Sequence, residues 1–248
     1  PPEEGYLASG ALGTGRLAAE EKILATLEQA LGPNDLKGLR VLVTAGGTQE
    51  AIDPVRYISN HSSGKMGYAV AEVAARRGAT VTLISGPVAL TAPIGVRLEQ
   101  VSSAEQMLNA VLAELPTTDV LLKAAAVADY RPADPATHKI KKKDDELSIP
   151  LVRNPDILLT VKEQRHEGLT VVGWAAETND LVAYAEDKLK RKGLDMIVAN
   201  PVPQSFAGDA VQATLIRRDG SHEALEPLPK RVLANRILDE VIQVRGKG

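Results

Sequence analysis

Cysteine is absent from the 248 residues. That excludes disulfides, cysteine–zinc sites and a catalytic thiol from this chain. Large aromatics are almost as scarce. Phe206 and Trp174 are the single Phe and the single Trp, so the core has to be built from Val, Leu, Ile and Ala. No stretch is apolar enough to span a bilayer and no signal peptide is visible, a pattern compatible with the cytoplasm. An excess of one charge is also missing. The 29 basic and 32 acidic residues leave a net charge of −3, which argues against broad electrostatic binding to nucleic acid or to a membrane surface. What is present, at 44% apolar residues, is enough for one sizeable core with or without an appendage. The opening Pro1–Pro2, with no initiator methionine, reads as a fragment of a longer protein.

Apolar periodicity and breakers lay out the elements. Pro1 to Arg16, rich in Gly, Pro and small residues, reads as a linker or tail. Helical spacing over Leu17 to Leu31 stops at Gly32–Pro33. Buried-type strands are expected over Leu39–Thr44, Thr80–Ser85, Val96–Val101, Asp119–Ala126, Leu169–Trp174 and Asp195–Ala199. Helices are expected over Met66–Arg77, Ser103–Glu114, Asn179–Lys192 and Arg231–Gln243. Another opens at Asn154–Pro155–Asp156, with Asn154 as N-cap and Pro155 at the first helical position. Two short strands are expected inside the irregular stretch from Ala128 to Pro150, which carries an Asp144–Asp145 turn. A second hairpin would pair Ala213–Arg217 with His222–Leu225 across Asp219–Gly220. This order predicts an α/β protein, Rossmann-like and doubly wound, with a mainly parallel sheet and a small β-hairpin extension.

The densest information lies between Thr44 and Gly67. An apolar strand ends in Thr44–Ala45–Gly46–Gly47–Thr48, and a polar insert, Ile52 to Gly64, leads into a helix. Gly46, Gly47, Ser62, Ser63, Gly64 and Gly67 suit a phosphate cradle at a helix start, or simply tight turns and close packing. Gly64–Lys65 is not a Walker lysine, because Met66 stands where that loop needs Ser or Thr. The Asn60 amide is able to donate to a developing oxyanion, or to close an Asx-turn. His61 reads as a loop residue, and Asp53 and Arg56 are placed to pair and shape the insert. Asp129 follows the fourth strand, where open parallel sheets bind ligands; the alternative is a turn cap. Lys139, Lys141, Lys142 and Lys143 concentrate positive charge, the last three reading as a solvated face. Lys188 and Lys192 share one face of a helix. Tyr184 and Lys188 match the Tyr-x-x-x-Lys pair of short-chain dehydrogenases. The match is discounted, since the strand ending Ile84–Ser85–Gly86 offers no acidic residue to an NAD ribose.

Six motifs in order resemble those of the bacterial phosphopantothenate–cysteine ligases, which form the C-terminal half of a bifunctional coenzyme A biosynthesis protein. They are Thr44–Glu50, Asp53–Gly67, Ala125–Arg131, Lys139–Lys142, Asn154–Ile157 and Gly173–Thr178. The resemblance covers about residues 35 to 245. It implies a ligase domain over 35–248, and over 1–34 a linker, a short helix and the tail of a missing flavin-dependent decarboxylase half. No flavin and no decarboxylation are therefore expected here.

The resemblance further implies condensation of 4′-phosphopantothenate with L-cysteine through an acyl-cytidylate made from CTP, with Mg²⁺ bound mainly through the CTP phosphates. Asn60 and Lys139 carry the catalytic roles in that picture. Gly46, Gly47, Ser62, Ser63, Gly64 and Met66 would hold phosphates. By family position, Ala124, Ala125, Asp129, Lys139, Pro155, Asp156, Ile157, Leu158, Trp174, Lys188 and Lys192 would line the nucleotide site. A homodimer is implied, and neither nucleic acid nor membrane is an expected partner. Two departures stand out: Trp174 replaces a smaller aromatic such as Phe, and the loop after Lys142 is short. A nicotinamide-dependent oxidoreductase and a non-catalytic nucleotide-binding module are the competing readings.

Overall fold

The computed structural model describes residues 2–142, 146–177, 180–201 and 210–246. Lys143, the Asp144–Asp145 turn, Thr178, Asn179 and Phe206 lie outside the described residues. In chain order the elements begin with β1 (Glu3–Tyr6), β2 (Leu12–Arg16), α1 (Glu20–Leu31), β3 (Arg40–Ala45), β4 (Gln49–Ala51), β5 (Tyr57–Ser59) and α2 (Lys65–Arg76). Then come β6 (Thr80–Ser85), β7 (Val96–Gln100), α3 (Ala104–Glu114), β8 (Val120–Lys123), β9 (Tyr130–Pro132), β10 (Leu151–Arg153) and α4 (Ile157–Glu163). The last third holds β11 (Thr170–Glu177), α5 (Leu181–Lys192), β12 (Met196–Pro201), β13 (Ala210–Arg217), β14 (His222–Pro229) and α6 (Lys230–Gly246).

Eight strands form one sheet in the order β14-β13-β12-β11-β8-β3-β6-β7. The six from β12 to β7 run parallel, and the β13–β14 hairpin adds antiparallel to β12. The fold is thus Rossmann-like and doubly wound, as the order of elements predicts. Alternation along each strand divides the core. Val43, Leu83, Leu122, Val172 and Val198 pack with α2 and α6 on one face. Leu42, Leu121, Val171 and Ile197 pack with α3, α4 and α5 on the other. Strands buried on both faces are why the sequence shows continuous apolar runs there rather than alternation. No helix among the described residues is long and apolar enough to cross a membrane.

The structure corrects four expectations. Residues 3–16, read as a linker or tail with no strand expected, carry a hairpin: β1 and β2 pair antiparallel around a turn in which Gly10 takes φ 80°. This hairpin and α1 contribute nothing to the core, α1 having no buried residue, so no apolar pattern announces them. The fourth strand ends at Lys123, not at Ala126; beyond it only an isolated parallel bridge, Gly47 to Ala126, continues the pairing with the residues after β3. Helix α4 starts two residues late. Asp156 is its N-cap, with Oδ1 accepting from the Leu159 N–H at 3.2 Å, while the Asn154 amide is drawn away to donate to the Ala128 carbonyl at 2.8 Å. Finally, β9 has its partner at β10, beyond the stretch in which both short strands were expected.

Helix α2 approaches β3 very closely, and this contact positions the start of α2. A Cβ on Gly67 would lie 2.6 Å from the Ala45 Cβ and 3.0 Å from the Thr44 carbonyl oxygen. Both are parts of a central strand that cannot yield. Gly67→Ala is expected to push α2 off the sheet and to destabilise the fold by about 1–3 kcal/mol, read as a lowered midpoint in urea or thermal unfolding. An unchanged midpoint would show that the contact is slack.

Candidate functional site

In the parallel part of the sheet, connections leave β3 toward β6 on one side, and the chain later returns to β8 on the other. The carboxyl ends of β3 and β8 therefore flank the point where the winding reverses, the usual ligand position in open α/β sheets. A cleft of about 600 Å³ lies there. It is walled by residues 60–67 of the polar insert and the start of α2, by residues 123–127 after β8, and by Trp174, Ala175 and Ala176 of β11.

The floor is stitched across the reversal point. The Ala124 N–H donates to the Thr44 carbonyl at 3.2 Å and the Ala126 N–H to the Gly46 carbonyl at 2.8 Å. The Ala125 N–H donates to Thr44 Oγ1 at 3.2 Å and the Ala128 N–H to Thr48 Oγ1 at 3.0 Å. Asn60 is tied to the same loop, its Nδ2 donating to the Val127 carbonyl at 3.1 Å. At the other wall Gly64 is the N-cap of α2 in the left-handed conformation, φ 72°, and no side chain caps the first turn. A helix start presents backbone N–H groups of the kind that bind anions.

Inside the insert the predicted pairing of Asp53 with Arg56 is present and reaches further than expected. The Asp53 carboxylate is fully buried. Its Oδ1 accepts from the Val55 and Arg56 N–H groups at 2.8 and 2.9 Å, and Oδ2 accepts from Arg56 Nε at 3.0 Å and from Arg56 Nη2. The pair then grips the segment that carries Lys139. The Ile140 N–H donates to Asp53 Oδ2 at 3.1 Å, and its carbonyl accepts from Arg56 Nη2 at 2.9 Å. The bond to Arg56, with these backbone N–H groups, outweighs the desolvation and holds the Asp53 carboxyl below the ordinary carboxylate range.

Of the residues singled out in the sequence, Asn60, His61, Ser62, Ser63, Gly64, Lys65, Met66, Gly67, Ala124, Ala125, Asp129, Trp174 and Lys188 come together on the cleft walls. The others do not line it. Gly46 and Gly47 lie behind it, where a Cβ on Gly47 would meet the Asn60 carbonyl at 2.8 Å. Ile157 and Leu158 are core residues of α4, and Pro155 precedes that helix. Lys192 is buried and paired with Asp156. Burial opposes the charge of Asp156, yet that bond and the nearby lysines keep its pKa lowered. Lys139 is exposed on the rim segment. Tyr184 is exposed and off the cleft, which removes the dehydrogenase-like pair.

Sequence reasoning missed Lys123, Asn200, Val211 and Lys230, which also line the cleft. Lys123 had a signal, a charge closing an apolar strand. The other three are brought in by β12, β13 and α6 from far along the chain. Lys65, Lys123, Lys188 and Lys230 face a single lining carboxylate, Asp129, among the described residues. A concentration of basic side chains of this kind favours anions. The Lys188 ammonium donates to the Trp174 carbonyl at 2.7 Å. The Trp174 indole nitrogen is buried without a hydrogen-bond partner among the described residues, a donor that a ligand could satisfy.

Comparison with known proteins follows the same lines. The family model described as DNA/pantothenate metabolism flavoprotein C-terminal domain matches residues 36–244. The coenzyme A biosynthesis bifunctional protein CoaBC of Haemophilus influenzae is 47% identical over 245 residues, covering 98% of this chain and 61% of that protein. The chain thus spans about three-fifths of the length of that relative. The crystal structure of the C-terminal domain of a CoaBC protein superposes with a TM-score of 0.76 at 43% identity, over 87% of this chain and 100% of that one. A Cab2 mutant solved in complex with phosphopantothenate-cysteine gives a TM-score of 0.71 at 19% identity, over 92% of each chain, a likeness of fold alone.

Because the folded-state pKa of Asp53 lies below its unfolded value near 3.8, its contribution to stability is complete above that value. It is lost as pH falls from there toward the folded pKa. Asp53→Asn is expected to be less stable than the parent at pH 6, with the gap closing as pH drops from about 4 toward 2. Denaturant unfolding at several pH values checks this; two parallel curves would show that Asp53 is not the linked group.

Proposed function

The chain belongs to the DNA/pantothenate metabolism flavoprotein C-terminal domain family, and from that premise we propose that it is a CTP-dependent ligase joining 4′-phosphopantothenate to L-cysteine in coenzyme A biosynthesis. The observation that carries the reading is the cation-rich cleft at the reversal point of the sheet, with the start of α2 on one wall and Asn60 on its rim. The name of the Haemophilus relative supplies the pathway. The ligand of the Cab2 complex is the product such a condensation would give.

In the first step the pantothenate carboxylate attacks the α-phosphorus of CTP, and pyrophosphate leaves with the electrons of the broken P–O bond. In the second, the cysteine amine attacks the acyl carbon, loses a proton and expels CMP. Charge builds on phosphate oxygens in one step and on the acyl oxygen in the other, so fixed cations and donors dominate both. The amides of α2 with Ser62, Ser63 and Gly64 would hold phosphates, and Lys139 would bring charge over them from the rim. Asn60 has two amide N–H bonds. The Val127 carbonyl takes one, which orients the other toward the acyl oxygen. Mg²⁺ would neutralise the triphosphate when bound. No group of three or more carboxylate or imidazole side chains able to hold a metal occurs among the described residues. Asp129, the lining carboxylate, fits a metal carried chiefly by phosphate oxygens and water.

The nucleotide base would be read by carbonyls. The N–H groups of Ala124, Ala125 and Ala126 are already spent on β3 and the residues after it, so the carbonyls of this loop would be the groups that accept from the exocyclic amine of cytosine. A second copy of the chain would cover the exposed apolar residues Val55, Tyr57, Tyr130, Leu151 and Val152, making the homodimer. The decarboxylase half would be covalently joined in the longer protein, and the cytoplasm would be its location.

Pyrophosphate release in the presence of 4′-phosphopantothenate, L-cysteine and Mg²⁺ tests the reading. CTP is expected to outperform ATP, GTP and UTP, the last because its base presents a carbonyl where cytosine has the amine. Equal turnover with ATP would overturn the choice of nucleotide, and no release with any of the four would overturn the ligase.

Asn60→Asp replaces the amide donor with a carboxylate of equal size. It is expected to form acyl-cytidylate but to stall before the amide, so that mass spectrometry of the quenched reaction finds the intermediate. Normal amide formation by this variant would remove Asn60 from the second step.

A further inference from the structure

Lys123 closes β8 at the reversal point of the sheet and projects its side chain toward the α4–α5 face, into the wall of the cleft. The ammonium has three donors. One goes to the Ala125 carbonyl at 3.1 Å, and Lys123 stands in no ion pair among the described residues. Its charged neighbours are Lys188 and Lys192 on α5, Asp156 at the start of α4 and Asp129 after β8. Asp156 is already engaged by Lys192, in a direct ion pair. The cleft therefore holds a desolvated cation beside a second cation, with donors unspent and no carboxylate of its own. Such an arrangement is costly in the empty protein and becomes favourable when an oxygen acceptor enters.

We infer that Lys123 is a further substrate-binding residue, its ammonium donating to an oxygen of the bound nucleotide, either a phosphate oxygen or the base carbonyl. This rests on the reading of the cleft as a nucleotide site. The contrast with Lys192 supports it. Lys192 is more deeply enclosed but has its own carboxylate, and is a structural cation. Lys123 shares the same pocket of charge and lacks one. Its protonation fits the role. Burial, and next the Lys188 charge, push the Lys123 ammonium down to about 8, so near that pH the binding form is lost by titration. A ligand that requires the ammonium raises the pKa and must bind more weakly as pH climbs.

The test is nucleotide affinity by calorimetry at pH 7 and pH 9, with CTP, cytidine and tripolyphosphate as three separate probes. For a group titrating near 8 whose charged form alone binds, affinity falls about tenfold between these two pH values. In the parent chain CTP is expected to show this fall in addition to whatever fall Lys123→Met retains, and Lys123→Met is expected to bind CTP at least tenfold more weakly at pH 7. Lys123→Arg, charged at both pH values, is expected to keep binding and to lose the extra fall, which guards against a Met variant that does not fold. The sources of the oxygen separate by probe. An extra fall seen with tripolyphosphate and not with cytidine assigns a phosphate, and the reverse assigns the base. Parent and Arg variant with the same pH slope, or a folded Met variant with parental affinity, would overturn the role of Lys123 while leaving the ligase reading intact. Tripolyphosphate binding with the Lys123-dependent fall, without CTP binding, would overturn the nucleotide and keep the cation. Failure of all three probes to bind would overturn both.

Discussion

Four hydrogen bonds from one loop to the end of one strand hold the rest in place. The residues after β8 give their N–H groups to Thr44, Gly46 and Thr48 at the end of β3. The two strands are neighbours in a parallel ladder, and both end at the same edge. Joining their continuations extends the ladder beyond the sheet as a narrow shelf, with a bridge between Gly47 and Ala126. Everything ascribed to the cleft hangs from that shelf. Asn60 is bonded to Val127, Lys123 to Ala125, and α2 begins above it because Gly67 lets the helix sit against Ala45 and Thr44. The shelf uses the N–H groups of Ala124, Ala125, Ala126 and Ala128, while its Ala125 and Val127 carbonyls hold Lys123 and Asn60.

The polar insert depends on a second, smaller anchor. A buried carboxylate at position 53 is tolerable because it accepts from three backbone N–H groups and a guanidinium. Buried charges are kept in folded proteins only when they are satisfied in this way. The same atoms grasp Ile140, so the insert and the rim segment move as one piece. Glu50 makes a comparable link, its buried Oε1 accepting from the Ala104 N–H at 2.9 Å at the start of α3. The insert is thereby tied to both sides of the sheet's upper edge, and Asn60 gains a fixed place on an otherwise exposed loop.

The charge of the molecule is distributed unevenly, and function follows from that rather than from the near-zero total. Arg77, almost wholly buried, is satisfied by Asp35 and Asp239 and ties the end of α2 to α6. Lys192 is satisfied by Asp156. These are structural pairs. On the cleft wall Lys123 stands in no ion pair among the described residues, a charge that an anionic substrate would balance.

Much was legible in the sequence wherever one physical constraint acts on consecutive residues. A strand covered on both faces must be apolar throughout, so β3, β6, β8, β11 and β12 were readable, and with them the parallel, doubly wound sheet. The insert was readable from its glycines and from the Asp53–Arg56 spacing, since that pair is local. The β1–β2 hairpin was not, because it buries no side chain and so leaves no apolar pattern. The cap of α4 was misplaced by two residues because Asn154 is claimed by Ala128, a partner 26 residues away. Lys139, given to the nucleotide by family position, is an exposed residue held in place through its neighbour Ile140. The sequence by itself determined the sheet, its winding and hence the edge at which a ligand must bind. Only the tertiary structure decided that Lys123 at that edge lacks an ion pair among the described residues, because the nearby carboxylate of Asp156, from the start of a different helix, pairs with Lys192.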